Sequence, residues 1–216
     1  MNEKALIHTT EMFVKKALES DSTGHDWYHI RRVRNQALYI CEKEKIGNKF
    51  IIEMAALLHD IPDDKLNSSK EEGEQRLNHF LGSLELAEGL SREIIAVIAS
   101  VSYKGGGQVH DLSDEAKVVQ DADRLDAIGA MGIARTFAYG GAKGQPMYDP
   151  SLAVRERMTE KEYRDGKSSS INHFYEKLLK LKDLLNTNTA REIAESRNRI
   201  MEEFLAEFYK EWKGQL

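Results

Sequence analysis

The chain has 216 residues, 41% hydrophobic and 31% charged, and its 36 acidic against 31 basic side chains give a formal charge of −5. That length can bury a sizeable core within one domain, and 15 Gly with only 3 Pro exclude a disordered or collagen-like chain. Net acidity argues against a nucleic-acid polymer as partner. No window approaches the roughly 18 consecutive apolar residues of a membrane helix, and residues 1 to 10 carry no apolar signal core. A soluble, cytoplasmic protein with no membrane partner is expected. The lone Cys41 cannot form an internal disulfide, which fits a reducing compartment, and its place in an apolar helical pattern makes it a buried structural thiol.

Helical periodicity dominates. Residues 4 to 19 space Ile7, Phe13, Val14, Ala17 and Leu18 as one helical face, and Asp21-Ser22-Thr23-Gly24 breaks the pattern. A second helix is predicted from about Tyr28 to Ile46, ended by Gly47-Asn48. The third, about Lys49 to His59, is apolar nearly all round and should be buried, with Ile61-Pro62 stopping it. Ser69-x-x-Glu72 is a capping box for a helix that Gly73 or Gly82 would interrupt, and Ser91 is the expected N-cap for Arg92 to Tyr103. After the Gly105-Gly106-Gly107 turn, Ser113 with Asp114 and Glu115 opens a helix carrying Val118, Val119, Leu125 and Ile128. Residues 140 to 165 read as a long loop, an uncommon length in a compact domain and thus a functional one. Helices over about Ser170 to Leu185 and Ala190 to Trp212 close the chain, the second capped by Thr189. Its stripe of Phe204, Phe208, Tyr209 and Trp212 fits core packing or a homodimer contact better than a cofactor box. No strand shows clean alternation, so the fold class is all-α, a compact helical bundle.

Three of the 7 His are followed directly by Asp, at His25-Asp26, His59-Asp60 and His110-Asp111, more than chance placement of 7 His and 13 Asp would give. An isolated pair at a helix end is usually a core histidine and a cap. His59-Asp60, however, closes an otherwise apolar helix, and burying both groups costs several kcal/mol unless hydrogen bonds or a metal compensate. His29 lies early in the preceding helix, and Asp121-Ala122-Asp123-Arg124-Leu125-Asp126 adds three carboxylates. Imidazole with carboxylate suits Mn, Fe, Co, Ni or Zn, and Mg also where oxygens complete the shell. Two His and two Asp would leave two positions of a six-coordinate ion open, one for a water of lowered pKa and one for a phosphate oxygen.

The order His29, His59-Asp60, then an aspartate of Gln120-Asp121-Ala122-Asp123-Arg124-Leu125 resembles the HD-domain metal-dependent phosphohydrolases. The stretches His25 to Val33, Asp121 to Arg135 and Ser170 to Leu178 resemble a branch of small, single-domain bacterial HD proteins. This implies one HD-type helical domain over 1–216, with a metal site built from about 24–130, the loop at 140–165 and C-terminal helices over 170–213. It also implies one divalent ion, Mn preferred, on His29, His59, Asp60 and Asp123. The family's Ala-Asp-x-Leu setting selects Asp123, with Asp121 as the substitute. Residues two apart on a helix point about 200° from each other, so both cannot reach one ion.

Departures narrow the resemblance. Two-metal HD phosphodiesterases carry an adjacent histidine pair between the His-Asp and the last Asp, whereas this interval holds only His79 and His110. The alarmone hydrolases have His-Asp-x-x-Glu-Asp, and here His59-Asp60-Ile61-Pro62-Asp63-Asp64 keeps the spacing with Asp for Glu. Asp63 or Asp64 is a candidate proton acceptor, or a solvated loop pair; Asp126 shares a helix face with Asp123 and would orient a ligand or water. Lys65, Lys104 and Arg32 are the candidate phosphate contacts. His25 and Asp26 either orient His29 or form a loop hydrogen-bond pair. His8, His79, His110 and His173 stand outside the catalytic set. The expected activity is hydrolysis of a phosphoester or phosphoanhydride in a small nucleotide, a nucleoside or deoxynucleoside triphosphate, by a metal-activated water. The rivals are a guanosine tetraphosphate pyrophosphohydrolase, a non-catalytic interaction module and an iron-dependent oxygenase.

Overall fold

Short polar side chains at helix starts set where this chain becomes helical. In the computed structural model, which describes residues 2–19, 26–63, 66–101, 111–155 and 166–215, Asn2 caps α1 (Glu3–Ala17), Asp26 caps α2 (Trp27–Glu44) and Asn48 caps α3 (Lys49–Leu58). Ser69 caps α4 (Lys70–Ser83). Each cap oxygen accepts a first-turn N–H that would otherwise have no partner inside its helix. Then come α5 (Glu88–Val101), α6 (Asp114–Asp126), α7 (Gly129–Ala142), α8 (Ser170–Glu176), a 3-10 helix (Leu178–Leu184) and α9 (Asn188–Trp212). The described residues contain no strand, so the chain is all-α, and none of their helices is long and apolar enough to cross a membrane.

Several boundaries differ from the sequence expectation, each for a local reason. α4 runs unbroken through Gly73 and reaches Gly82, because one helical glycine costs only about 1 kcal/mol. Ser91 does not start α5. The Ala87 carbonyl already accepts from the Leu90 and Ser91 N–H groups at 2.9 and 3.1 Å, so the helix begins a turn earlier. Thr187, not Thr189, caps α9 by accepting from the Ala190 N–H at 3.3 Å. α7 extends to Ala142, which shortens the predicted loop at its start; Gly144, at φ +63°, lies in the turn that follows. A 3-10 turn replaces the last part of the predicted helix over 170–185.

The chain forms two compact units. The first holds α1 to α5 and α6 as far as Asp123. Its centre is α3, which packs against α1, α2 and α5 and buries Phe50, Ile51, Ile52, Met54, Ala55, Ala56, Leu57 and Leu58. Among ten residues of α3, Glu53 provides the acid, and it is answered: Arg34 donates through Nε at 2.9 Å and also through Nη2, while Arg34 Nη1 lies 2.5 Å from Glu11. One guanidinium thereby joins α1, α2 and α3. On the rim, Phe13 stacks on Phe80 with centroids 3.9 Å apart.

The second unit begins at Arg124 and holds α7, α8, the 3-10 helix and α9. Phe204 of α9 contacts Phe137 and Phe174 at 5.8 and 5.7 Å between centroids, and Phe208 and Trp212 pack around Tyr148 at 5.8 and 5.0 Å. The aromatic stripe of α9 therefore packs within its own unit, although half of Trp212 stays exposed. Glu176, buried at the end of α8, takes a forked contact from Arg155 at 2.9 and 2.7 Å and a third bond from Ser168 at 2.9 Å.

Candidate metal centre

Three helices of the first unit each deliver part of one polar cluster. Asp26 Oδ1 accepts the His29 N–H at 2.8 Å, which fixes the first turn of α2 and places His29 on its inner face with no exposure. His59 is the C-cap of α3 and Asp60 follows it, so the most apolar helix of the unit leads directly to the most polar spot. Asp123 is contributed by α6.

The side chains of His29, His59 and Asp123 each place a donor atom within 4.8 Å of the other two. Asp123 Oδ1 lies 3.5 Å from His29 Nε2 and 3.7 Å from His59 Nε2. Asp60 straddles the pair, with Oδ1 3.3 Å from His59 Nε2 and Oδ2 3.4 Å from His29 Nε2. Donors bonded to one ion at about 2.0–2.2 Å sit roughly 3.0–3.6 Å apart when they are neighbours in its shell. The separations of 3.3, 3.4 and 3.5 Å fall within that span, and the fourth, 3.7 Å between Asp123 and His59, lies just beyond it.

The electrostatics fit the same reading. His59 Nδ1 lies 2.9 Å from the Ala56 carbonyl, so Nδ1 carries the hydrogen and Nε2 faces the carboxylates. His59 Nε2 is enclosed and makes no hydrogen bond, and such an orphan in a native interior calls for an unplaced partner, an ion among them. Burial alone would lower the His59 imidazole, but the Asp60 and Asp123 carboxylates and the Ala56 carbonyl outweigh it and hold it up at about 9. For Asp123, removal from water would raise the carboxyl, but His59 and His29 dominate and hold it down at about 2. His29, His59 and Asp123, with the Asp60 carboxylate reaching both imidazoles, thus offer a donor set suited to a divalent cation.

The other sequence candidates are placed as follows. Asp121 is fully buried and stands outside the cluster that contains Asp123. Asp63 follows Asp60 by one turn, its N–H donating to the Asp60 carbonyl at 3.0 Å. Arg32 is half-buried one turn beyond His29 on α2. Asp26 is a helix cap. The Asp126 carboxylate, almost fully buried, accepts from Arg135 at 2.8 Å, and the charge of Arg197 also acts on it. His25, Asp64, Lys65, Lys104 and His110 lie outside the described residues. Among the bystander histidines, burial, aided by the Lys177 charge, holds His173 down at about 4. Asn67 and Gly73, which bear on the turn after Asp60, carry no signal in the sequence beyond a polar residue in a loop and a glycine in a helix.

Comparison with known proteins agrees with this geometry. The family model for the HD domain matches residues 26–128. An HD-superfamily hydrolase of known structure from Bacillus thuringiensis is 51% identical, aligned over 99% of this chain and 100% of its own, with a TM-score of 0.77. A solved structure from Lactobacillus plantarum is 38% identical over 97% of both chains, with a TM-score of 0.87. Bacillus subtilis YpgQ, solved in complex with ADP, is 37% identical over 95% of this chain and 97% of that one, with a TM-score of 0.75. Fold and clustered donors together describe an all-helical protein whose His29, His59 and Asp123 side chains could hold a metal ion. The chain belongs to the HD-domain family of metal-dependent phosphohydrolases.

Proposed function

We propose that this protein hydrolyses a phosphoester or phosphoanhydride bond of a small nucleotide, a nucleoside or deoxynucleoside triphosphate, with His29, His59, Asp60 and Asp123 holding one divalent ion, Mn preferred. The observation that carries the reading is the convergence of those four side chains from three helices. When bound, such an ion polarises a phosphate oxygen and lowers the pKa of a bound water. The protein's own share is positional. The Ala56 carbonyl holds His59 in the tautomer that presents Nε2, and the Asp26 cap holds the turn that carries His29. Asp63 or Asp64 takes the proton that the attacking water loses. Lys65, Lys104 and Arg32 offset charge on the phosphate oxygens. The nucleotide part is supported by the ADP held by the Bacillus subtilis relative.

The test is a screen for phosphate and pyrophosphate release over ribo- and deoxynucleotides and guanosine tetraphosphate, repeated with Mn, Co, Ni and Mg. Release from triphosphates that depends on the ion supports the reading. Activity confined to guanosine tetraphosphate moves the assignment to an alarmone hydrolase, and no release from any nucleotide overturns it.

A further inference from the structure

Beyond Asp60 the chain leaves α3 in a wound turn. The Ile61 N–H donates to Leu58 O at 3.0 Å, the Asp63 N–H to Asp60 O at 3.0 Å and the Leu66 N–H to Asp63 O at 3.1 Å. Pro62, in the middle, has no N–H to contribute. The Asn67 side chain braces this turn. Its Nδ2 donates to Ile61 O and to Asp63 O, each at 2.8 Å, so one amide grips the carbonyls on both sides of Pro62.

A second element presses on the same turn. A Cβ built on Gly73 of α4 would stand 2.6 Å from Pro62 O and 2.8 Å from Asn67 Nδ2, closer than real Cβ atoms come. Gly73 is helical and buried, so what demands glycine here is the close approach of a backbone carbonyl. The first turn of α4 is itself anchored, with Ser69 Oγ accepting from the Glu72 N–H at 3.2 Å and Glu72 accepting from the Ser68 N–H at 3.0 Å. The turn is thus gripped by Asn67 and backed by α4.

The residue this arrangement constrains is Asp60. Its two carboxylate oxygens are shared between His59 and His29 at 3.3 and 3.4 Å, so a shift of its backbone would lose one of them. We propose that Asn67, backed by Gly73, is a positioning residue that sets the Asp60 carboxylate for the metal centre. This rests on the reading that those residues hold a divalent ion. A merely structural Asn67 would change the stability of the chain without changing the ion affinity of the folded protein.

The test measures the Mn(II) dissociation constant of the full chain by the EPR signal of free Mn(II), beside the melting temperature of the metal-free protein. Asn67→Asp keeps the side-chain shape but removes both donors, Asn67→Ala removes the group, and Asn67→Ser keeps a single donor. The expected result is a Mn(II) dissociation constant raised about 10-fold in N67D and N67A, the lower end of what losing a direct partner of a ligand costs, because Asn67 reaches Asp60 only through the neighbouring backbone. N67S should fall between these and the wild type. Gly73→Ala, which pushes Pro62 from the other side, should also weaken Mn(II) binding. Dissociation constants within about twofold of wild type in the folded variants overturn the proposal, whatever the melting temperatures do. If N67D and N67A do not fold, N67S and G73A are judged by the same criterion. A wild-type chain that binds Mn(II) but hydrolyses no nucleotide defeats the proposed activity and leaves the role of Asn67 to the affinities. One that binds no Mn(II) overturns both.

Discussion

The two ring nitrogens of His59 have separate duties: Nδ1 is tied to the Ala56 carbonyl, and Nε2 is turned toward Asp60 and Asp123. Because the carboxylates hold this imidazole up at about 9, the metal-free protein keeps a proton there at neutral pH, and an ion must displace it. Mn(II) affinity should therefore rise with pH and level off above about 9, and calorimetry in buffers of different ionisation enthalpy should count close to one proton released near pH 7. The same interaction bears on stability. A histidine whose folded pKa is raised stabilises the fold fully below its ordinary value near 6.5 and ceases to do so as pH rises through about 9. Melting temperatures of metal-free protein should fall across that window, and the fall should be absent in His59→Gln. His59→Ala and Asp60→Ala should lose Mn(II) binding while circular dichroism still reports helix; retained binding and activity in both would remove the proposed centre. The buried Asp126 carboxylate is met by Arg135 at 2.8 Å.

At the scale of an element, α3 shows why an apolar helix can end in a polar site. Its buried side chains meet α1, α2 and α5, and that packing holds the turn from which His59 and Asp60 project. Leu57→Ala should cost about 2–5 kcal/mol in urea unfolding, the range for a truncated core leucine. Losing the α2 cap is milder: Asp26→Ala should cost about 1 kcal/mol, with Asp26→Ser recovering most of it. Caps also show where sequence reading falters. Ser69 is legible because Glu72 completes its capping box, whereas Thr189 with Glu192 shows the same pattern and yet the Ala190 N–H is found on Thr187. Gly73 reads as a break because local propensity penalises glycine, while the carbonyl that requires it belongs to Pro62, in another part of the chain.

At the scale of the molecule, the cluster belongs entirely to the first unit, while α6 continues unbroken into the second. Mn(II) at about 100 times its dissociation constant should stabilise the fold by about 2.7 kcal/mol, which for a chain of this size raises the melting temperature by roughly 5–11 °C. A melting temperature that ignores the ion would contradict this. The amino-acid sequence by itself determined the all-helical class and most helix starts, because periodicity and caps act over a few residues. It also pointed to His29, His59 and Asp60 through their order and setting. The family resemblance already selected Asp123 over Asp121; the tertiary structure adds that the Asp123 carboxylate lies beside both imidazoles, that Asp126 is bound to Arg135, and that Asn67 and Gly73 brace the turn behind Asp60. Those outcomes depend on which face of α6 meets α2 and α3 and on how near α4 comes to Pro62. Such distances arise between residues far apart in the chain, where local pattern carries no information.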